Sequence, residues 1–249
     1  LDAIEPCIIL DRMDLDAVRN EIESWIGRAG AIGYSGAFLD VTDWKDAAGI
    51  TALAHELGAA HGIFTIQTRK TIFLDDRARI KHDLAGIRDR AKVDLICLRS
   101  SNAEVLNFSA KDSRIDMIRI EPGDLAEKLA DGTASLAGQA GVGIELSFAP
   151  ILDSHGTGRS RILRQYAKII DTCTRNHALV LLSCDARRLV ELRGSWQKQV
   201  TLGILAGLSR QVTKAIVRDN PRAVLARRAA KVETTQLEEV TNEEEGEGS

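Results

Sequence analysis

The chain is 249 residues long, 44% apolar, and carries a formal net charge of −3. That length accommodates one large α/β domain or two small ones, with a substantial core. No apolar run approaches the ~18 residues of a membrane span and no basic segment precedes an apolar stretch near Leu1, so neither a transmembrane helix nor a signal peptide is expected, and no membrane partner.

Pro6–Leu10 (PCIIL) reads as a short buried strand, and Asp11 or Asp14 can cap the helix after it, since a short carboxylate accepts from free N–H groups. That helix covers Leu15–Ala29, with Val18, Ile22, Trp25 and Ile26 on one face and Gly30 and Gly33 at its end. Gly36–Val41 is the second strand and Ala47–Ala60 the second helix. A third strand begins over Ile63–Ile66, with Thr68, Arg69 and Lys70 at its end. Asp75–Ala91 is a charged amphipathic helix, Val93–Leu98 the fourth strand ending at Arg99, and Ala103–Phe108 a short helix. Ile115–Ile120 is the fifth strand, which Glu121-Pro122-Gly123 breaks. Asp124–Gln139 is helical with an interruption at Asp131-Gly132, Val142–Phe148 is the sixth strand, and Ser154–Gly158 is a flexible loop.

Arg161–Asn176 is the next helix. It leads into Ala178–Leu182, an apolar run without alternation, which is how a strand buried on both faces reads. A sharp turn at Ser183-Cys184-Asp185 then opens a helical pattern through Leu189, Val190 and Leu192, and Asp185 is placed to cap it. Two further helices cover Ser195–Gly207 and Gln211–Ala229. Residues 233–249 hold seven glutamates and no basic residue, so the rest of the chain carries +4. The segment is expected to be a disordered acidic tail on a mildly basic body, a balance compatible with a nucleic-acid partner.

Strands alternating with helices predict right-handed βαβ units. The expected fold class is α/β: a single TIM-barrel-like (β/α) domain over residues 1–232 with about seven parallel strands, incomplete or distorted. An open doubly wound sheet is the alternative, disfavoured because nothing like GxGxxG follows the first strand. Glycines 27, 30, 33 and 36 cluster at a helix end and read as its terminator. Cys7, Cys97, Cys173 and Cys184 form no CxxC pair and are expected as reduced thiols in a cytoplasmic protein.

In a parallel α/β fold the ligand face lies at the carboxyl ends of the strands. Basic residues load those ends: Arg69 and Lys70, Arg99, Arg159 and Arg161, then Arg187 and Arg188 beside Asp185. If the strands are parallel they share one face, which suits phosphate contact. At 4% aromatic content the chain lacks a base-stacking platform, so structured RNA read by backbone and shape fits better than single strands. Of the five histidines only His155 falls on a loop after a strand, which is too few for a dinuclear hydrolase site, and no metal site is expected. Glu145 lies inside the sixth strand, where it reads as a buried, hydrogen-bonded residue pointing into the barrel.

Four segments, in order, carry a family resemblance: GYSGAFLDV at Gly33–Val41, KVDLICLRSSNAEVLNFSAKDSRIDMIRI at Lys92–Ile120, VGIELSFAPIL at Val142–Leu152, and ALVLLSCDARRLVELR at Ala178–Arg193 followed by DNPRAVL at Asp219–Leu225. Together they resemble the archaeal and eukaryotic ribonuclease P protein component 3, a family similar to metal-dependent phosphoesterases of the polymerase-and-histidinol-phosphatase type. In those enzymes the last strand often ends Ser-x-Asp-Ala-His; here Ser183-Cys184-Asp185-Ala186-Arg187 puts Arg in place of the ligand His. The resemblance implies a non-catalytic subunit of the endoribonuclease that removes the 5′ leader from precursor tRNA. It implies no cofactor in this chain, with Mg²⁺ belonging to the RNA subunit. The implied partners are ribonuclease P RNA, a ferredoxin-like ribonuclease P protein subunit, the other ribonuclease P proteins, and precursor tRNA within the complex. Arg99 and the Asp185–Arg187 turn are the RNA-facing residues it carries over; the other basic residues rest on the strand-end argument. The competing readings are a barrel metal-dependent phosphoesterase or hydrolase, and a structural partner protein whose basic face is incidental.

Overall fold

The computed structural model describes residues 3–11, 15–62, 64–120 and 129–232. Asp14, the Glu121-Pro122-Gly123 break, the helix expected over residues 124–128 and the acidic tail lie outside the described residues. Seven strands run in sequence order: β1 (Ala3–Ile9), β2 (Tyr34–Asp40), β3 (Thr65–Phe73), β4 (Leu95–Arg99), β5 (Met117–Ile120), β6 (Gly143–Ser147) and β7 (Leu179–Ser183). Each pairs in parallel with the next, from Ala3↔Tyr34 on one side to Ser147↔Ser183 on the other. Just past β7, Ala186 bridges back to Ile8, and the Ile9 amide donates to its carbonyl at 2.9 Å. A sheet whose last strand meets its first is a barrel, which rejects the open doubly wound alternative.

Helices cover the outside. In α1 (Leu15–Ala31), Val18, Ile22, Trp25 and Ile26 are buried, one apolar face at helical spacing laid on the strands. Asp46 caps α2 (Ala47–Ala60) by accepting from the Gly49 amide. The long helix predicted over Asp75–Ala91 is instead two single turns, α3 (Ile80–Leu84) and α4 (Ile87–Ala91), because Gly86 at φ 58 breaks the ladder between them. The remaining helices before β7 are α5 (Ala103–Ser109), α6 (Asp131–Ala140), α7 (Ala149–Asp153) and α8 (Gly156–Arg175). The loop expected at Ser154–Gly158 is thus largely the first turn of α8.

After β7 the predicted helix does not form. Leu189–Glu191 makes a single 3₁₀ turn, held by the Glu191 carboxylate, which accepts from the Arg187 and Arg188 amides and leaves Val190 exposed. Two helical segments end the described residues: α9 (Ser195–Leu205), and α10 (Arg210–Lys214) continuing through a π turn at Ala215–Asp219 and on to residue 232. Pro221 accounts for the π turn: it has no N–H for the carbonyl four residues back, and its ring crowds that carbonyl.

The barrel interior has an apolar floor. Ile4, Phe38, Leu95, Cys97, Met117 and Leu181 meet there, and Val224 of the last helix plugs the N-terminal end. Gly143 is required at this level, since a Cβ would lie 2.6 Å from Leu181 Cδ1 and 3.1 Å from Val224 Cγ2.

The β1–β7 seam is closed by side chains more than by backbone. Pro6 cannot donate to a ladder, and β1 is irregular between Glu5 and Ile8. Glu5, fully buried, reaches across: its Oε1 accepts from the Cys184 amide at 2.7 Å, and its Oε2 from Lys198 Nζ at 2.6 Å. Lys198 of α9 also donates to the Leu182 carbonyl at 2.7 Å and lies 5.5 Å from the centre of the Tyr34 ring. Removing one partner of a buried pair strands the other charge at a cost of about 3–5 kcal/mol. Lys198→Met is therefore expected to lower stability in urea titration by about that amount, whereas a loss under ~1 kcal/mol would show that the seam does not depend on the pair.

Candidate nucleic-acid interface at the barrel mouth

Strand alternation turns every second side chain inward. Above the apolar floor this brings Asp40 from β2, Arg69 and Thr71 from β3, Arg119 from β5, and Glu145 and Ser147 from β6 towards the axis, with Asp185 arriving from beyond β7. Arg69 is the centre. Its two terminal nitrogens donate to both oxygens of Glu145 across the barrel, at 2.7 and 2.9 Å. It also donates to the Pro6 carbonyl at 2.9 Å and to Thr71 Oγ1 at 2.9 Å, and its Nε lies 3.3 Å from Asp40 Oδ2. Both Arg69 and Glu145 are fully buried. Burial works against the guanidinium charge, but the anionic surroundings, Glu145 and Asp40 among them, overcome it and hold Arg69 protonated.

A second pair lies nearer the opening. Arg119 grips Asp185 through both guanidinium nitrogens, one at 2.7 Å, and Ser147 and Ser183 donate to the same carboxylate. The contact is bought with backbone strain, since Asp185 adopts φ 53. Burial raises the carboxyl pKa of Asp185, but the Arg119 charge and these hydrogen bonds outweigh it and hold the group below its usual range. Its role is therefore to orient Arg119 rather than to cap a helix.

Cys7, Glu145 and Asp185 place three potential ligand atoms within 4.8 Å of one another. The donor set does not fit a metal ion. Both carboxylates already accept from arginines, and burial pushes the Cys7 thiol well up, whereas a metal needs the thiolate. Two guanidinium groups do internally what a cation would otherwise do.

Over this layer opens a cavity of about 370 Å³ whose polar lining includes Asp40, Asp43, Thr71, Arg99, Arg119 and Arg187. Arg99 ends β4 and is exposed. Arg187 is exposed and donates to Asp11 at 3.1 Å, a surface pair of little strength. The mouth thus carries three arginines beside Asp40 and Asp43, above an interior whose buried arginine is paired with carboxylates.

The predicted strand-end residues divide accordingly. Arg69 is not at a strand end: β3 runs on to Phe73 and encloses it. Lys70, its neighbour, alternates to the outer side, half-buried. Arg159 lies in the first turn of α8 and donates to the Ser154 carbonyl at 2.8 Å, while Arg161 is exposed on the same helix. Arg188 is exposed and paired with Glu191. Only Arg99 and Arg187 of the set line the mouth, and Arg119, which the strand-end argument passed over, joins them.

The RNase P subunit p30 family model matches residues 9–233. The chain belongs to the RNase P subunit p30 family. Among solved structures it is similar to a chain of an archaeal ribonuclease P determined by cryo-electron microscopy with mature tRNA, at 16% identity over 89% of this chain and 90% of that one, with a TM-score of 0.69. It is also similar to N-isopropylammelide isopropylaminohydrolase from Burkholderia multivorans, at 15% identity over 92% of this chain and 74% of that one, with a TM-score of 0.44. The phosphoesterase alternative is not favoured.

The pH dependence of that layer has a definite sign. Because the folded-state pKa of Asp185 is depressed, its contribution is fully present above the unfolded value near ~4 and is lost as pH falls through the lower folded value. Asp185→Asn is expected to cost about 3 kcal/mol at pH 6, with the gap to wild type narrowing below pH ~4 in urea titrations. A gap independent of pH down to ~2.5 would contradict the assignment.

Proposed function

We propose that this p30-family subunit takes no chemical step in ribonuclease P. Cleavage of precursor tRNA belongs to the RNA subunit and its Mg²⁺, and this chain binds RNA backbone through the barrel mouth. The observation that carries the reading is the convergence of three guanidinium groups, Arg99, Arg119 and Arg187, on one cavity at the barrel mouth, two of them exposed, above an interior where Arg69 is already paired with Glu145. Planar guanidinium groups suit phosphate oxygens, and a face of this kind positions RNA without reading bases. Arg161, Arg188 and Lys70 extend the basic surface beyond the rim, and the protein works in the cytoplasm.

The protein partners follow from a different surface. On α9 the exposed residues Trp196, Val200 and Ile204 recur every fourth position, with Leu205 beside them. An apolar ridge on an outer helix is the kind of surface a neighbouring subunit covers. We assign it to another ribonuclease P protein, the ferredoxin-like subunit being the first candidate.

Arg99→Ala combined with Arg187→Ala is expected to leave the thermal midpoint nearly unchanged, because both side chains are exposed. The pair should weaken binding to ribonuclease P RNA and reduce the slope of log K against log salt by about 0.7–0.9 for each phosphate no longer neutralised. An unaltered slope in the stable double variant would remove the mouth from the interface.

A further inference from the structure

A second cavity, flanked by exposed basic residues, lies away from the mouth. It measures about 650 Å³, touches Ala3 and Gly33, which precede or open β1 and β2, and so belongs to the N-terminal end of the barrel. Its other walls are the first turns of α9, through Ser195 and Gln199, and the last helix, through Arg210, Gln211, Lys214 and Arg218. Arg210 and Lys214 are exposed and have no acidic partner among the described residues; Arg218 is half-buried and donates from Nε to Asp219 at 2.7 Å.

The three cations are four residues apart, about 6 Å per step along the axis. In a regular α-helix every fourth residue overshoots a full turn, so such a row drifts round the helix. Here the π turn over Ala215–Asp219 falls between Lys214 and Arg218. Its wider winding undershoots where the α turn overshoots, which brings Arg218 back into line with Arg210. Pro221, by forcing that turn, thereby helps keep all three charges on one cavity wall. None of the lining residues is aromatic, so nothing there stacks bases. Aligned cations, two of them without an acidic partner among the described residues, suit a run of phosphates.

We infer that this groove is a second RNA-backbone contact, so that the subunit braces two RNA segments held at opposite ends of the barrel, about 20 Å apart by strand length. The inference rests on the RNA-binding reading of the chain and adds a site to it. The test is hydroxyl-radical footprinting of the cognate ribonuclease P RNA by the full-length chain. Wild type should protect two separate sets of nucleotides. Arg210→Glu with Lys214→Glu, or the milder Arg210→Gln with Lys214→Gln, should lose one set and keep the other, and the Arg99→Ala, Arg187→Ala variant should do the converse. If the groove variants retain both sets, this inference fails while the mouth reading stands. If the mouth variant alone loses nothing, the mouth reading fails while the groove stands. No protection by wild type overturns both. Retained protection with loss of another protein subunit from the assembled complex would give the groove to an acidic protein surface and overturn its assignment to RNA.

Discussion

The structure depends on a charge enclosed in the barrel. Arg69, with no exposure to solvent, links β3 to β6 through Glu145, to β2 through Asp40 and to β1 through the Pro6 carbonyl. A buried ion pair seldom adds net stability over well-packed apolar groups, because desolvating both charges costs several kcal/mol each, roughly what their attraction returns. What this one adds is specificity. A guanidinium whose donors form a fixed fork reaches Glu145, Thr71, the Pro6 carbonyl and Asp40 together only when four strands stand in one arrangement. The irregular Pro6–Cys7 segment of β1 serves the same end, since the break in register there lets a backbone carbonyl accept from Arg69.

The same layer decides what the barrel can and cannot do. Barrels commonly do chemistry at the carboxyl ends of their strands, and three of the groups there, Cys7, Glu145 and Asp185, are of metal-binding type. Arg69 and Arg119 engage the two carboxylates, and burial keeps the thiol protonated. The other three cysteines are pushed up as well, Cys173 and Cys184 to about 12, so none offers a thiolate near neutrality. With Arg69 and Arg119 committed to carboxylates, the exposed guanidinium groups at the mouth are those of Arg99 and Arg187.

Much of the fold was legible because it is written in short-range patterns. Continuous apolar runs marked β4 and β7 to within a residue or two, and the helical spacing of Val18, Ile22, Trp25 and Ile26 marked α1. The errors fall where a side chain overrides local pattern. The apolar residues Leu189 and Val190 suggested a helix, but the Glu191 carboxylate folds back on the Arg187 and Arg188 amides and makes a tight turn. Glu145 was readable as an inward residue, yet its partner was not: Arg69 comes from a strand 76 residues away in the chain, and a strand-end position looks solvent-exposed until the strand is seen to run on. Arg119 could have been found by alternation from Met117, the inward residue two positions earlier. Glu5 and Lys198 carry no such signal, being separated by 193 residues and lying in ordinary strand and helix sequence.

The central claim is that this chain assists a reaction carried out by RNA. The most direct measurement is reconstitution of precursor-tRNA cleavage from the RNA subunit and the remaining protein subunits at limiting Mg²⁺, with and without this chain. Cleavage is expected to rise when the chain is added, and the chain alone is expected to cleave nothing. Cleavage indifferent to its presence, or hydrolysis by the isolated chain, would contradict it.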